Sequence, residues 1–303
     1  MALRVSNKIK RSKGEIVFDV IAYIIAALLF LIFAYPFYYL LINTVSNNVM
    51  VNLNKVVLYP IGLHFENYKN VLKLTRLYDA ALVTVVRTLL GTLTALLFQA
   101  YAGYVFSKQE MWGRKFWYRL TVSTMYFSAG MIPVYLNIKN LGLMNNFWVY
   151  IVLHLFSAYN MILIKTYMES LPASLEESAQ LDGAGYLTRF FRIVLPLSKP
   201  ILATVGLFSA VGHWNNLMDT KLYITNQKLY TLQFVLYEYY EQVKSLEATM
   251  VDEGATIEMM EKLASATPIR LTLTAVTVIP IMCVYPFIQK YYMKGMMIGA
   301  VKG

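Results

Sequence analysis

Residues 169–200 read ESLPASLEESAQLDGAGYLTRFFRIVLPLSKP, and this stretch is the most informative in the chain. It lies between two apolar runs, 140–164 and 200–218, that contain no Asp, Glu, Lys or Arg. Connections between neighbouring helices are usually short, whereas this one has about thirty residues. Gly183 and Gly185 predict a sharp turn in its middle, because glycine adopts left-handed backbone conformations freely. We therefore expect the segment to have a structure of its own.

Local signals predict a short helix, a turn and a second helix within this segment. Ser174 and Glu177 have the spacing of a capping box, which predicts a helix that begins at Ser174. Phe190 and Val194 lie in a second apolar helical stretch, and Pro200 stands at the start of the next apolar run, where proline is tolerated. From the residues alone, two interpretations remain open. The segment either receives another protein or packs on its own helices.

The composition outside this segment indicates that lipid is the main solvent. Of the 303 residues, 58% are hydrophobic and only 15% are charged, against about a quarter in a soluble domain. This excludes an ordinary soluble enzyme. The net charge of +10 raises the question of nucleic acid. The Lys and Arg residues, however, lie in short clusters between apolar runs, which is a pattern of membrane topology and not of a DNA-binding face.

Six runs are long enough to cross a bilayer, which requires about 20 apolar residues. We therefore predict an all-α, polytopic membrane protein. Its domains are an N-terminal tail, 1–15, and a transmembrane domain, 16–303. The expected helices lie near 16–42, 80–106, 117–137, 146–168, 197–218 and 268–290.

The distribution of Lys and Arg predicts that both termini lie in the cytoplasm. These residues are concentrated in the terminal tails and in the loops on the same side. The outer loops would then be 43–79 and 219–267. Each holds an amphipathic segment, 64–79 and 229–250, that would lie on the membrane, dock a partner or pack on its own bundle.

The long inner loop, 169–196, resembles the EAA loop of ABC-importer permeases. That pattern reads Glu-Ala-Ala, three residues, Gly, nine residues, Ile, one residue, Leu-Pro. Here Ser178 replaces the first alanine, which exchanges one small residue for another, and every spacing fits. The matching positions are Glu177, Ser178, Ala179, Gly183, Ile193, Leu195 and Pro196.

Further stretches are similar to the carbohydrate-uptake branch, and in particular to the second permease of maltose-type importers. They include Asp182-Gly183-Ala184, Ile132-Pro133, Tyr285-Pro286-Phe287 and the ending Gly299-Ala300-Val301-Lys302-Gly303. The resemblance covers essentially the whole chain and points to oligo- or polysaccharide importers.

The resemblance implies a permease subunit that moves oligosaccharides across the cytoplasmic membrane of a prokaryote by alternating access. Its partners would be a second homologous permease, two ATP-binding cassette ATPases, an extracytoplasmic solute-binding protein and membrane lipid. ATP and Mg²⁺ would be bound by the ATPases and no cofactor by this chain. The implied coupling residues are Glu176, Glu177, Ser178, Ala179, Asp182, Gly183, Ala184, Ile193, Leu195 and Pro196. The tail residues Val301, Lys302 and Gly303 would reach between the ATPases.

The sequence contains no catalytic or nucleotide-binding motif that would make this chain an enzyme. There is no G-x-x-x-x-G-K-[ST], so the chain is not expected to bind ATP phosphates. The three histidines, His64, His154 and His213, are too dispersed in sequence for a convincing metal site. No carboxylate occupies a mid-membrane position, which argues against a secondary carrier or a channel. An ABC permease for a solute other than sugar remains the alternative.

Several residues are candidates for the substrate pathway, because sugar sites combine aromatic faces with hydrogen-bonding side chains. The polar run near the outer end of the fifth span could equally be an interfacial anchor. Arg87 could attract a uronate, extend to the headgroups or form a structural pair, and Gln99 is expected to hydrogen-bond across helices. The candidates are Arg87, Tyr126, Asn160, His213, Trp214, Asn215 and Asn216.

Overall fold

The computed structural model describes residues 12–253 and 256–300, and every regular element in these ranges is helical. A π-helical turn, Phe190–Val194, and a 3₁₀ turn, Gln227–Leu229, accompany the α-helices. The α-helices are α1 (Lys13–Thr44), α2 (Asn48–Asn52), α3 (Glu66–Leu72), α4 (Thr75–Ser107), α5 (Arg114–Ser123), α6 (Met131–Asn140), α7 (Val149–Val152), α8 (Ala158–Glu169), α9 (Ala173–Leu181), α10 (Tyr186–Arg189), α11 (Leu195–Leu197), α12 (Lys199–Asn215), α13 (Met218–Tyr223), α14 (Leu232–Glu253) and α15 (Ile257–Ala300).

Three of the described helices are long and apolar enough to cross a membrane by themselves. They are α1, α4 and the 262–284 part of α15. The third and fourth predicted spans, 117–137 and 146–168, are not continuous helices. The third span is interrupted between α5 and α6, and the fourth is interrupted between α7 and α8. The prediction of six spans therefore remains untested, although the all-helical class is confirmed.

The fifth predicted span begins with a sharp bend. The helical segment Tyr186–Leu197 meets Lys199–Asn215 at 81°. Ser198 lies at the junction, and Pro196 and Pro200 flank it. Proline lacks a backbone N–H and cannot continue the hydrogen bonding of a preceding turn, so two prolines around one residue favour a break here. The inner segment 169–197 therefore leaves the direction of α12.

Helix α4 lies at the centre of the packing. One end contributes Ala100 and Tyr104 to a core cluster with α8 and α12. The other end contributes Leu77 and Ala80 to a cluster with α14 and α15. Between them, Val83 packs near α7 and α13. Displacement of α4 would therefore disturb several buried contacts together.

One local expectation is corrected, and one of the alternatives left open for an amphipathic segment is selected. Helix α9 begins at Ala173 after Pro172, and no side chain caps it, so the predicted capping box at Ser174 is wrong. Pro172 is the residue before the first helical turn, where its missing N–H breaks no hydrogen bond of the helix. The outer amphipathic segment 229–250 forms most of α14, which packs on its own bundle through buried Leu232 and Val235.

Candidate functional site

The polar centre of the protein is an ion pair between α4 and α13. Arg87 is fully buried, and its Nη2 donates a hydrogen bond to Oδ2 of Asp219. Its Nη1 donates to the carbonyl of Asn216 over 3.3 Å, and the guanidinium lies 4.4 Å from the ring centroid of Tyr150. Removing a charge from water is costly unless it is paired and hydrogen-bonded. Of the three roles considered for Arg87, the structure supports the structural pair.

Asp219 joins this pair to His154. The Nε2 of His154 donates to Oδ2 of Asp219 over 2.7 Å, and the amide side chain of Asn216 accepts from the Asp219 backbone N–H over 3.0 Å. Burial alone would raise the pKa of the Asp219 carboxyl. The hydrogen bond from His154 and the charge of Arg87 outweigh burial, so the pKa lies below its ordinary value. Asp219 is therefore held as a carboxylate.

His213 lies beside this network with its ring centroid 5.2 Å from that of His154. His154 and His213 thus lie together although they are far apart in the sequence. A Cβ atom at Gly91 of α4 would overlap the His213 ring, so glycine makes this close approach possible. Among the described residues, no group of three or more His, Cys, Asp or Glu side chains is arranged to hold a metal ion.

A polar cavity of about 190 Å³ opens next to the two histidines. It lies between α4, the α7–α8 break and α12. Gln99 of α4 hydrogen-bonds across helices, as predicted, because its Nε2 donates to the Leu155 carbonyl over 3.3 Å. The lining residues are Gln99, Leu153, His154, Phe156, Ser157, Asn160, Phe208, Ser209, Gly212 and His213.

The other predicted pathway residues separate in space. The indole N–H of Trp214 donates to the Thr277 carbonyl over 3.0 Å, and its ring faces a second, apolar cavity. Asn215 accepts a hydrogen bond from Gln233 over 3.0 Å. Tyr126 is 80% exposed in the break between α5 and α6. Of the seven candidates, the structure thus places Asn160 and His213 on the polar cavity.

The second candidate region is the segment 169–197, where α9 is fixed to the end of α4. Glu176 forms an ion pair with Lys108 and accepts a hydrogen bond from the Tyr104 hydroxyl over 3.0 Å. Arg189 donates to Gln180 over 2.9 Å and connects α9 to the following helix. Gly183 has a φ of +82°, as expected for the predicted turn. These contacts join the turn and α9 to the long central helix.

The opposite face of α9 is open. Glu177, Ser178, Asp182 and Gly183 are exposed, and the Leu181 side chain is 90% exposed. Ala179, Ala184, Ile193 and Leu195 are partly buried, and Leu195 packs on the cluster of α4, α8 and α12. Pro196 is exposed at the bend. The tail residues Val301, Lys302 and Gly303 lie outside the described residues.

Sequence reasoning missed Asp219 and Lys108 as members of these two regions. Asp219 stands 132 residues from Arg87 and was assigned to an outer loop. No periodicity or motif connects residues so far apart. Lys108 lies in one of the short basic clusters between apolar runs, and no motif marks it. In both cases the pairing follows from how α4 packs and not from local sequence.

The fold and these two regions define a helical membrane protein with an exposed, structured segment between α8 and α12. Residues 10–297 match the family described as the inner membrane component of binding-protein-dependent transport systems. The chain belongs to this family, and the resemblance to ABC-importer permeases is confirmed.

Known relatives extend this assignment along the whole chain. The polygalacturonan/rhamnogalacturonan transport system permease protein YtcP of Bacillus subtilis (strain 168) is 34% identical over 290 residues, which cover 94% of this chain and 98% of that protein. The melibiose/raffinose/stachyose import permease protein MelC of the same organism is 26% identical and covers 97% of this chain and 99% of that protein.

A solved structure has the same fold. It is the crystal structure of a bacterial ABC transporter involved in the import of the acidic polysaccharide alginate. One of its chains superposes with a TM-score of 0.81 at 29% identity, and the match covers 93% of this chain and 99% of that chain.

Proposed function

We propose that the protein is a permease subunit of an ATP-driven importer for oligosaccharides. The observation that carries the proposal is the match, over nearly the full length of both chains, to a permease named for polygalacturonan and rhamnogalacturonan transport. The relative named for melibiose, raffinose and stachyose supports sugar as the substrate class more broadly. The chain would act with a second permease, two ATPases and an extracytoplasmic solute-binding protein.

The proposed coupling runs through α9. Its exposed face offers Leu181 for burial in a cleft of an ATPase, together with the carboxylates of Glu177 and Asp182. Burying an exposed apolar side chain of this size stabilises a contact by about 1.5–3 kcal/mol. Glu176, Lys108 and Tyr104 would pass the movement of α9 to α4. In this proposal the turn at Gly183 keeps the two short helices in their relative orientation.

Transport would follow alternating access. Closure of the ATPases on ATP would favour the outward-facing arrangement of the permease pair, and their opening would favour the inward-facing one. A ligand shifts such an equilibrium only as far as its affinities for the two states differ. The ATPases supply that difference through α9, since this chain has no nucleotide-binding motif. The 301–303 tail would add a contact between the ATPases.

The test is the ATPase activity of the purified complex in membranes, with its binding protein, against neutral and acidic oligosaccharides. Galacturonate oligosaccharides and raffinose represent the two classes named for the relatives. We expect at least one class to stimulate hydrolysis and to be taken up into vesicles. An assembled complex that hydrolyses ATP but responds to no sugar would refute the carbohydrate assignment.

A further inference from the structure

Helix α5 is attached to the rest of the protein through the face that carries Arg114 and Tyr118. The Nε of Arg114 donates a hydrogen bond to the Phe106 carbonyl over 2.8 Å, and its Nη2 pairs with Glu169. One turn further on, the ring centroid of Tyr118 lies 4.7 Å from the ammonium nitrogen of Lys165. Phe106 lies in the last turn of α4, and Glu169 is the last residue of α8. These contacts place α5 at the end of the bundle that carries α9.

The neighbouring face of α5 presents two positive charges without partners. Lys115 and Arg119 are exposed, and among the residues that the structure describes neither side chain makes an ion pair, a hydrogen bond or a ring contact. Arg114, in contrast, has a carboxylate partner in Glu169. Residues four positions apart lie on the same side of a helix, about 6 Å apart along its axis. The two free charges can therefore contact one anionic group together.

Exposed apolar side chains follow on the next face of the same helix. Phe116 is 64% exposed and Leu120 is 47% exposed, and Trp112, in the turn before α5, is 85% exposed. Tryptophan is enriched where a membrane meets water, because its ring is apolar and its N–H is polar. A helix with Lys and Arg on one face and Phe, Leu or Trp on another is typical of that interface. The outer surface of α5 therefore fits the boundary between lipid headgroups and acyl chains.

Charge decides between the occupants that this surface could have. A protein partner would remove both cations from water, which is costly unless the partner supplies matching carboxylates. Phosphatidylcholine carries a cation beside its own phosphate, which offsets much of the attraction. An anionic phospholipid meets both requirements, because its phosphate attracts the two cations while its acyl chains cover the apolar side chains.

We propose that α5 carries a binding site for an anionic phospholipid. Lys115 and Arg119 hold the phosphate, and Phe116 and Leu120 contact the first part of the acyl chains. The bound lipid lies against the helix that Arg114 connects to α4 and α8. The site does not depend on which solute the protein transports.

Lipid binding to the full-length protein tests the site without any measurement of transport. The protein is purified in mild detergent, and native mass spectrometry counts the molecules of palmitoyl-oleoyl phosphatidylglycerol or phosphatidylcholine that bind as the lipid concentration rises. A basic residue near an anionic surface contributes a factor of about five to affinity. We expect Lys115→Gln with Arg119→Gln to weaken the tightest phosphatidylglycerol binding by about 30-fold and to leave phosphatidylcholine binding unchanged.

The matched control is Lys228→Gln with Lys244→Gln. It removes two other exposed lysines and changes the net charge by the same amount, so it should bind both lipids like the wild type. Wild-type phosphatidylglycerol binding after loss of Lys115 and Arg119 would overturn the site. An equal loss in the control would show that net charge alone acts, which also contradicts a local site.

A soluble phosphate distinguishes a lipid site from a general anion site. Glycerol 3-phosphate carries the negative charge of the headgroup without acyl chains, so at the concentration of the lipid it should not displace phosphatidylglycerol. Displacement would identify a site for a soluble phosphate and refute the lipid as the occupant.

Discussion

At the scale of single residues, the decisive feature is the buried pair of Arg87 and Asp219. Arg87 has no exposed surface, and Asp219 is nearly enclosed. The pair is completed by His154, Asn216 and the face of Tyr150. Such a network favours one arrangement of α4, α7 and α13 over others, because each alternative leaves a charge without its partner.

Breaking this pair is expected to be costly. Asp219→Asn removes the charge but retains most of the volume, so Arg87 remains buried without a counter-ion. We expect a loss of about 3–5 kcal/mol in the free energy of unfolding, measured by denaturant titration of the purified protein in mild detergent. A double variant, Arg87→Met with Asp219→Asn, should recover part of that loss.

The exposed pair of Arg76 and Glu238 provides the control. Their charged atoms are 3.8 Å apart, and both side chains are partly exposed to solvent. Exposed ion pairs contribute about 0–1 kcal/mol, so Glu238→Gln should change the unfolding free energy by no more than that. Equal effects of Asp219→Asn and Glu238→Gln would show that the Arg87 pair is not a structural centre.

At the scale of elements, α9 and the turn at Gly183 form the exposed segment that the proposed function assigns to contact with an ATPase. Gly183 has a positive φ, yet nothing lies within 4 Å of the position that a Cβ would occupy. A Cβ atom at this position would therefore meet open space. Its cost comes only from the left-handed backbone, which is about 1–2 kcal/mol for an L-residue.

Because the cost at residue 183 lies in the backbone and not in side-chain packing, Gly183→Val tests coupling directly. We expect normal insertion into the membrane, because the strain is local, but transport that no longer follows ATP hydrolysis. The ratio of sugar taken up to ATP hydrolysed in vesicles measures this. Gly185→Ala is the control, since Gly185 has a φ of −69° and open space around it. Normal transport by Gly183→Val would remove the turn from the coupling mechanism.

At the scale of the whole molecule, α4 connects the two functional regions. Tyr104 at one end contacts Glu176, and Arg87 contacts Asp219 seventeen positions earlier. At 1.5 Å per residue, this separation is about 26 Å along one helix. A movement of α9 can therefore reach the polar cavity through a rigid element, without a chain of loops.

The orientation of α4 across the membrane is testable. With Cys283 replaced by Ala, a cysteine at exposed Ser178 should react with an impermeant maleimide only after the membrane is opened. A cysteine at exposed Asn70 of α3 should react in intact cells. The basis is the excess of Lys and Arg on the inner segments. The reverse labelling pattern would place the termini outside.

The sequence by itself determined the class of the protein and the position along the chain of its long structured loop. Apolar runs show where lipid is the solvent, because a helix in lipid satisfies its own backbone. The spacing of Glu177, Gly183 and Leu195 identified the family, because the structure of a short loop depends on residues that are close in sequence. The helical class and the turn at Gly183 could be predicted for the same reason.

Only the tertiary structure decided which distant residues meet. It paired Arg87 with Asp219, brought His154 to His213 and broke the third and fourth predicted spans into shorter helices. Hydropathy measures apolar character along the chain, and it contains no information on which helix faces which neighbour. Charge pairing and cavity shape arise from that packing, so the polar cavity could not be derived from the order of residues alone.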